Sequence, residues 1–455
     1  MWLTQHYFLK MSVTSNRRPP GPKPHFLIGN LPLASPEPLA VFAKWAHEFG
    51  DIFYYRAAWI RVFFINRPDL IESVLVTNYQ SFHKDRVLRN NRWFFGDGLL
   101  TSEGAYWLRQ RRLIQPAFHR DRIASYARTM TDSALQMLNS WKDGEVRDVH
   151  QDMMHLTMRI VSGVLFNTAI AEEEIVATAL NVLMAQLRGG RMLLPGFVRH
   201  IPLPTVLRAR KAVRQLDKIV YGIIRQGRAR NHDSGDFLSL LLAAQHEDGT
   251  RMTDRQLRDE VMAFLVAGHE TTALALTWTF YLMSQHPEVE RKLRQELDTT
   301  LQGRAPQPED LPRLAYTEKV IKEAMRLYPP AWGLGRTAIK PCEVGGFQVP
   351  AGASVVMSQW VMHRNPLFFP DPERFSPDRW TSERVASLPK FAYFPFGGGP
   401  RSCVGASFAM MEAVLLLAVI AQNAQLHLTT DRSVAGVPGM TLRPKEEIRM
   451  TISRR

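Results

Sequence analysis

The chain of 455 residues carries 57 Lys and Arg against 43 Asp and Glu, a formal charge of +14, and 45% of it is hydrophobic. Length alone suits about three ordinary domains, a prior that one large core overrides. Its two cysteines, Cys342 and Cys403, exclude a disulfide framework and fit a reducing compartment. The positive charge is spread along the chain with no basic run interleaved with aromatics, which argues against nucleic acid and leaves an anionic surface or an acidic protein partner.

The opening MWLTQHYFLKM is interrupted by Gln5, His6 and Lys10. It falls well short of the ~20 apolar residues of a membrane span and lacks the pattern of a signal peptide. Residues 1–18 read as a flexible segment, with weak surface association through Trp2, Leu3, Tyr7, Phe8 and Leu9 left open. The proline-rich run from Arg17 to Asn30 is extended. A helix over 42–49, two strands over 51–66 and a helix opening at Pro68 make a small β-rich region.

From Ser81 to Leu100 the periodicity gives way to a loop rich in aromatic and charged residues. Such a loop is either a lid on the core or the lining of a substrate channel, for which Trp93, Phe94, Phe95 and Leu100 are the candidates. In GAYWLRQRRL, Trp107 and Arg111 are four apart and share a helical face, while Arg109 and Arg112 suit a solvated basic side. Helical patterns continue through Asn139, from Asp148 to Phe166 and from Glu172 to Leu187. The apolar stretch Gly189 to Pro204 is either a roof over a pocket or a plain turn.

The longest helical pattern opens at Thr253, with Gln256 completing a capping box, and stops at Pro287. It is apolar nearly all round and so should be buried, yet Ala267, Gly268, His269, Glu270, Thr271 and Thr272 lie at its middle. Glycine there costs ~1 kcal/mol and threonine competes for a backbone carbonyl. An acid and an alcohol thus sit at a soft spot in an apolar wall, either as a polar kink or as a route for protons. In KEAMRLYPP, Glu323 and Arg326 lie three apart on one face, and Pro329 ends the helix. Trp332, Leu334 and Arg336 follow, then strand patterns around Gly345 and Pro350, and a late strand turn with Met440 at its tip.

The chain converges on Phe396 to Gly405, FGGGPRSCVG, which runs into the apolar helix pattern ASFAMMEAVLLLAVIAQ. Gly397, Gly398, Gly399 and Pro400 oppose regular structure and let the backbone approach something flat. Cys403 sits where the loop becomes a helix, so unpaired N–H groups and the positive helix end favour its thiolate. A lone cysteine is most often a small buried hydrophobe, and no His with Asn or Asp suggests itself as a base for a nucleophile. A thiolate ligand to haem iron, which helps to split an O–O bond, fits these surroundings. Phe396 would shield the sulfur, and Gly405 would let the helix lie close under the macrocycle.

FGGGPRSCVG resembles, position by position, the haem-binding loop F-G-x-G-x-R-x-C-x-G of the cytochrome P-450 family. The resemblance extends from about Pro19 to about Thr451: Ala267 to Thr272 is similar to A-G-x-[DE]-T-T, Glu323 and Arg326 to E-x-x-R, and Trp107 with Arg111 to W-x-x-x-R. It implies a mainly α fold with small β-sheets (α+β), a triangular helix-rich prism around a buried haem b, with residues 19–455 as one domain. Cys403 would be the iron ligand. Trp107, Arg111, Arg336, Arg401, Ala267, Gly268, Phe396, Gly397 and Gly405 would touch the cofactor. Glu323 and Arg326 would be structural, joined by an arginine from a P-x-R-F element; spacing to Cys403 favours Arg379, with Trp380 in place of the usual Phe, and the literal match favours Arg374. Trp332, Leu334, Met440 and Ala267 would join the substrate residues.

The implied activity is a monooxygenase that uses Glu270 and Thr271 to deliver protons, takes electrons from a separate ferredoxin or flavodoxin, and hydroxylates a fatty acid, terpenoid or steroid-like substrate. Glu270 would swing or exchange protons through a water chain. The protein would be bacterial, cytoplasmic and monomeric. A peroxide-driven or isomerising haem-thiolate enzyme and a non-catalytic haem sensor are the alternatives.

Overall fold

The computed structural model of the protein describes residues 18–166, 173–187, 201, 203–229, 236–245 and 249–455. The expected flexible start and most of the expected roof from Gly189 to Pro204 lie outside these residues. A central helix, Asp254–Ser284, organises the rest. Its capping box forms as the sequence demands: Thr253 N donates to Gln256 Oε1 (2.8 Å) and Gln256 N to Thr253 Oγ1 (3.3 Å), satisfying two donors that have no partner in the first turn.

Helices Val149–Phe166, Pro204–Ala229, Ala315–Leu327 and Ala406–Asn423 pack against this one. One apolar core surrounds its C-terminal half, Ala273 to Met283, and a second surrounds Leu257 to Val266. Gly268 belongs to this packing: a Cβ there would come within 3.1 Å of Val161 Cγ2. Glycine lets the two helices approach at Val161. The central helix and Ala406–Asn423 are long and apolar enough to cross a membrane, but both are largely buried inside the protein, which accounts for their composition.

A five-stranded mixed sheet lies to one side, in the order Ile52–Ala57, Ile60–Ile65, Ser354–Met357, Leu334–Ala338, Phe82–Lys84. Its first two strands form the expected hairpin, and Phe53 stacks on its cross-strand partner Phe64 at 4.6 Å. The stretch expected as one loop from Ser81 to Leu100 contains the edge strand Phe82–Lys84 and the short helices Arg86–Asn90 and Arg92–Phe95. Asp85 caps the first of these by accepting from Leu88 N at 2.9 Å. Elements this short show no periodicity, which is why the sequence reads as irregular.

Two buried carboxylates contrast sharply. Glu323 is fully buried and accepts from Arg326 Nε (2.9 Å) and Nη2 (3.0 Å), Arg379 Nε (2.8 Å), Trp380 Nε1 (3.0 Å) and Ser376 N (2.9 Å). Arg379 is therefore the second arginine; Arg374 offers only its carbonyl, to Arg326 and Arg379. Trp380 brings a donor that phenylalanine would lack. Glu412, equally buried on the Ala406–Asn423 helix, gathers no such cluster among the described residues: the Thr272 hydroxyl lies beside it, but burial outweighs that contact and pushes its carboxyl up to about 8.

Arg326→Ala leaves Glu323 short of its main partner and should cost ~3–5 kcal/mol, whereas Trp380→Phe should cost about 2 kcal/mol; denaturant unfolding measures both. An Arg326→Ala protein as stable as the parent would contradict this account. Glu412 has the opposite signature. Its folded pKa lies above the unfolded value, so the stability that its proton supplies is complete below the ordinary carboxyl range and is lost as pH rises toward about 8. The stability difference between Glu412→Gln and the parent should therefore shift in favour of the variant from pH 5 to pH 8. A pH-independent difference would exclude a buried neutral Glu412.

Candidate active site

The cysteine loop is held from behind. Gly398 and Gly399 are fixed by protein contacts: a Cβ would lie 2.1 Å from Phe391 Cε1 at the first and 2.0 Å from the Leu75 carbonyl at the second, where φ is +68°. The loop closes on itself through Cys403 N donating to Phe396 O at 3.0 Å. A Cβ on Gly405 would meet only Phe118, at 3.6 Å, so no protein backbone demands that glycine.

Cys403 is exposed although the Ala406–Asn423 helix that follows it is largely buried. Burial pushes the thiol up, while the Gly405 N–H and the Arg111 charge pull it down, with burial prevailing. Arg111 also donates Nη1 to Ser402 O at 2.9 Å, directly beside the sulfur.

The middle of the central helix is bare in one strip. Ala267 is exposed and Thr271, one turn on, is half-buried, although the residues flanking them are largely buried. Thr271 Oγ1 donates to Ala267 O at 2.8 Å. Glu270 faces elsewhere: it is 1% exposed, and its Oε1 accepts from both Thr441 Oγ1 and Arg443 Nε at 2.5 Å. Burial raises its pKa, but Arg443, Thr441 and the nearby His269 outweigh that, so its carboxyl is held below the usual range. The expectation that Glu270 swings freely is revised accordingly, because swinging would break an ion pair in a buried setting. Its Oε2 remains buried without a hydrogen-bond partner among the described residues.

Buried cations gather near the cysteine loop. Arg336 is 4% exposed, donates Nη1 only to the neighbouring Gly335 carbonyl (2.9 Å), and has no carboxylate within ion-pair distance among the described residues. Burial lowers its pKa to about 10. Arg401 pairs with Glu103 at 2.7 Å and donates to Phe82 O at 2.8 Å, but its Nε is buried and unpartnered. The Trp107 ring stands between Arg401 (5.5 Å) and Lys84 (5.7 Å). An accessible cysteine on a glycine loop, a bare helix strip and under-partnered guanidinium groups fit a flat, iron-bearing, dianionic group such as haem.

Of the expected substrate residues, Trp93, Leu100 and Met440 lie at the half-buried edge of the apolar cluster that also takes in Leu99, Phe264 and Val404. Leu334 comes within 3.7 Å of a Cβ placed on Gly397. Phe94 and Phe95 differ from expectation: at 0% and 1% exposure they are core residues beneath the chain segment they belong to. Trp332 differs too. It packs on Phe42 at 5.9 Å and donates Nε1 to Gly439 O at 2.8 Å, holding the Met440 hairpin rather than facing a substrate.

Four residues escaped the sequence reading. Thr441 and Arg443 reach Glu270 from 171 and 173 residues away with no local signal. Glu103 looks like any acid before a helix. Glu412 alone had a visible mark, as the one charge in an apolar helix pattern, and it lies beside the Thr272 hydroxyl.

Comparison with known proteins now bears on this geometry. The family model "Cytochrome P450" matches residues 19–451. The chain is 38% identical over 396 residues to the cyclooctat-9-en-7-ol 5-monooxygenase of Streptomyces melanosporofaciens, covering 86% of this chain and 84% of that protein. It is 34% identical to the pentalenene oxygenase of Streptomyces avermitilis, covering 89% and 91%. A cyanobacterial family member solved with retinoic acid superimposes with a TM-score of 0.87 at 26% identity, over 97% of this chain and all of that one. With the cysteine loop, the bare helix strip and the buried arginines already in place, this likeness across nearly the whole length shows that the chain belongs to the cytochrome P450 family and is a haem-dependent monooxygenase.

Proposed function

We propose that the protein binds haem b through Cys403 and hydroxylates a cyclic terpenoid hydrocarbon or alcohol. The observation that carries this reading is the similarity, over most of the chain, to enzymes named for terpenoid oxidation. The apolar edge formed by Leu99, Leu100, Phe264, Val404 and Met440 supports it, because it offers surface and shape but no charge to a substrate carboxylate. Residues 19–455 would act as one unit. When bound, the haem supplies activation of dioxygen by two electrons.

The chain's own residues do the rest. Cys403 provides the thiolate, favoured by the Gly405 N–H and Arg111. Trp107, Arg111, Arg336 and Arg401 would hold the carboxylates of the cofactor. Thr271 Oγ1, on the bare strip, would hold a proton or an ordered water at the reacting face. Glu270, fixed by Arg443 and Thr441, would exchange protons through its free Oε2 without moving its ion-paired oxygen. A separate acidic ferredoxin or flavodoxin would deliver electrons to the exposed basic side that includes Arg109.

The test is turnover with an acidic ferredoxin and its reductase at low and high salt, offering a fused-ring diterpene alcohol, a sesquiterpene hydrocarbon, a fatty acid and a steroid. The expected result is salt-sensitive oxidation of one of the terpenoids; preference for the fatty acid or steroid would refute the substrate class. In the same assay Thr271→Ala should keep haem content and substrate affinity while product per electron falls about tenfold or more and the electrons appear as hydrogen peroxide. Full coupling in that variant would reduce Thr271 to a device for bending the helix.

A further inference from the structure

The first turns of the central helix contain two adjacent acids, Asp259 and Glu260, that are 5% and 0% exposed. The chemistry described above uses neither. Both accept from the segment that follows the Arg92–Phe95 helix, and Asp259 Oδ1 also accepts from the buried Arg258 Nη1 at 3.0 Å. Asp259 Oδ2 accepts from Asp97 N at 2.8 Å and Glu260 Oε2 accepts from Leu99 N at 2.9 Å. Alternate N–H groups of this segment thus find successive carboxylates on a helix, in place of the ladder that a neighbouring strand would offer.

From the other side, the buried Lys84 donates Nζ to Leu99 O and to Ser102 O, each at 2.7 Å. Both backbone groups of Leu99 are therefore held by charged side chains, one from the central helix and one from the sheet. The approach is close enough to require glycine. A Cβ on Gly98 would lie 2.7 Å from the Asp259 carbonyl oxygen and 3.1 Å from Glu260 Oε2, and one on Gly96, where φ is +77°, would lie 1.9 Å from Asp259 Oδ1.

Burying a carboxylate costs several kcal/mol unless strong partners compensate, and a surface segment can take its hydrogen bonds from water at no such cost. Three buried ionisable side chains on one short irregular segment fit a need for fixed position. What that segment carries is Leu99 and Leu100, half-buried residues that pack, like Val404 next to Cys403, against the apolar core around Leu257 to Val266.

We propose that Glu260, with Asp259 and Lys84, is a positioning residue for substrate: it fixes the backbone of Leu99 and thereby sets the wall that Leu99 and Leu100 present to the bound molecule. The specificity of the site is then set in part by an acid that touches no substrate. Burial pushes Glu260 up to about 8 and Lys84 down to about 7, so burial disfavours the charged form of both, consistent with their being kept for the hydrogen bonds that they make.

The role of Leu99 and Leu100 rests on the functional reading above, so the test includes a readout independent of it. Glu260→Met removes the acceptor at similar volume, and Glu260→Gln keeps one. In the haem-loaded protein, amide hydrogen exchange across residues 96–102 should quicken at least tenfold in Glu260→Met and stay near the parent rate in Glu260→Gln. Spectral titration with imidazole and 4-phenylimidazole then reads the wall: Glu260→Met should change the ratio of the two dissociation constants about tenfold, with imidazole alone and haem content unchanged.

Gly98→Ala, which leaves every charge in place, should reproduce the change in ratio, and it serves as the test if Glu260→Met does not fold. Unchanged exchange in Glu260→Met, or Glu260→Gln behaving like Glu260→Met, would overturn the proposal. So would an unchanged ratio in Gly98→Ala. Failure of every terpenoid to bind the parent would refute the functional reading while leaving the exchange result intact.

Discussion

The site depends first on one fully buried carboxylate far from the chemistry. Glu323 gathers Arg326, Arg379, Trp380 and the Ser376 N–H, and Arg326 passes the constraint on through donations to His363 O and Pro372 O. The His363 ring, kept neutral by burial and by the neighbouring arginines, accepts from Phe394 N at 3.0 Å. Phe394 is two residues before the loop that ends at Cys403. A chain of hydrogen bonds therefore runs from a helix–loop ion cluster to the position of a sulfur, and each link is buried, where an unmade bond is most costly. Such a network explains how a loop with three successive glycines holds one geometry.

The central helix plays the complementary part. Its successive faces serve different neighbours: Asp259 and Glu260 take the 96–102 segment, Gly268 admits Val161, Ala267 and Thr271 stay bare, and Glu270 takes the hairpin through Thr441 and Arg443. That hairpin is also pinned by two indoles, Trp278 on Leu442 O and Trp332 on Gly439 O. The backbone on either side of its tip residue, Met440, is thus held. Thr271, Thr277 and Thr279 on this helix donate back to its own carbonyls, while Glu260 Oε1, His269 Nε2, Glu270 Oε2 and the Thr272 hydroxyl are buried without a hydrogen-bond partner among the described residues.

Much of this was legible in the sequence because the signals were local. Thr253 with Gln256, Glu323 with Arg326 and the loop ending at Cys403 are short patterns whose physics acts within a few residues. The identity of the second arginine was open between Arg374 and Arg379 because both lie in one proline-rich run, and only geometry shows that Arg374 turns its carbonyl to the cluster. Phe94, Phe95 and Trp332 were read as substrate residues because aromatic side chains suit a pocket and a core equally well. Burial and the hydrogen bond of the Trp332 indole decide against the pocket. Arg443 and Lys84 had no signal, since a basic residue on a strand ordinarily faces water and nothing nearby reports a distant buried acid.

The central claim is that Cys403 presents a thiolate to haem iron in a pocket shaped by these networks. The absorption spectrum of the reduced carbon monoxide complex tests it most directly. The account predicts the strongly red-shifted Soret band of thiolate-ligated haem in the parent protein and its loss in Cys403→His. An unshifted band in the parent, or a red-shifted band that survives in Cys403→His, would contradict it.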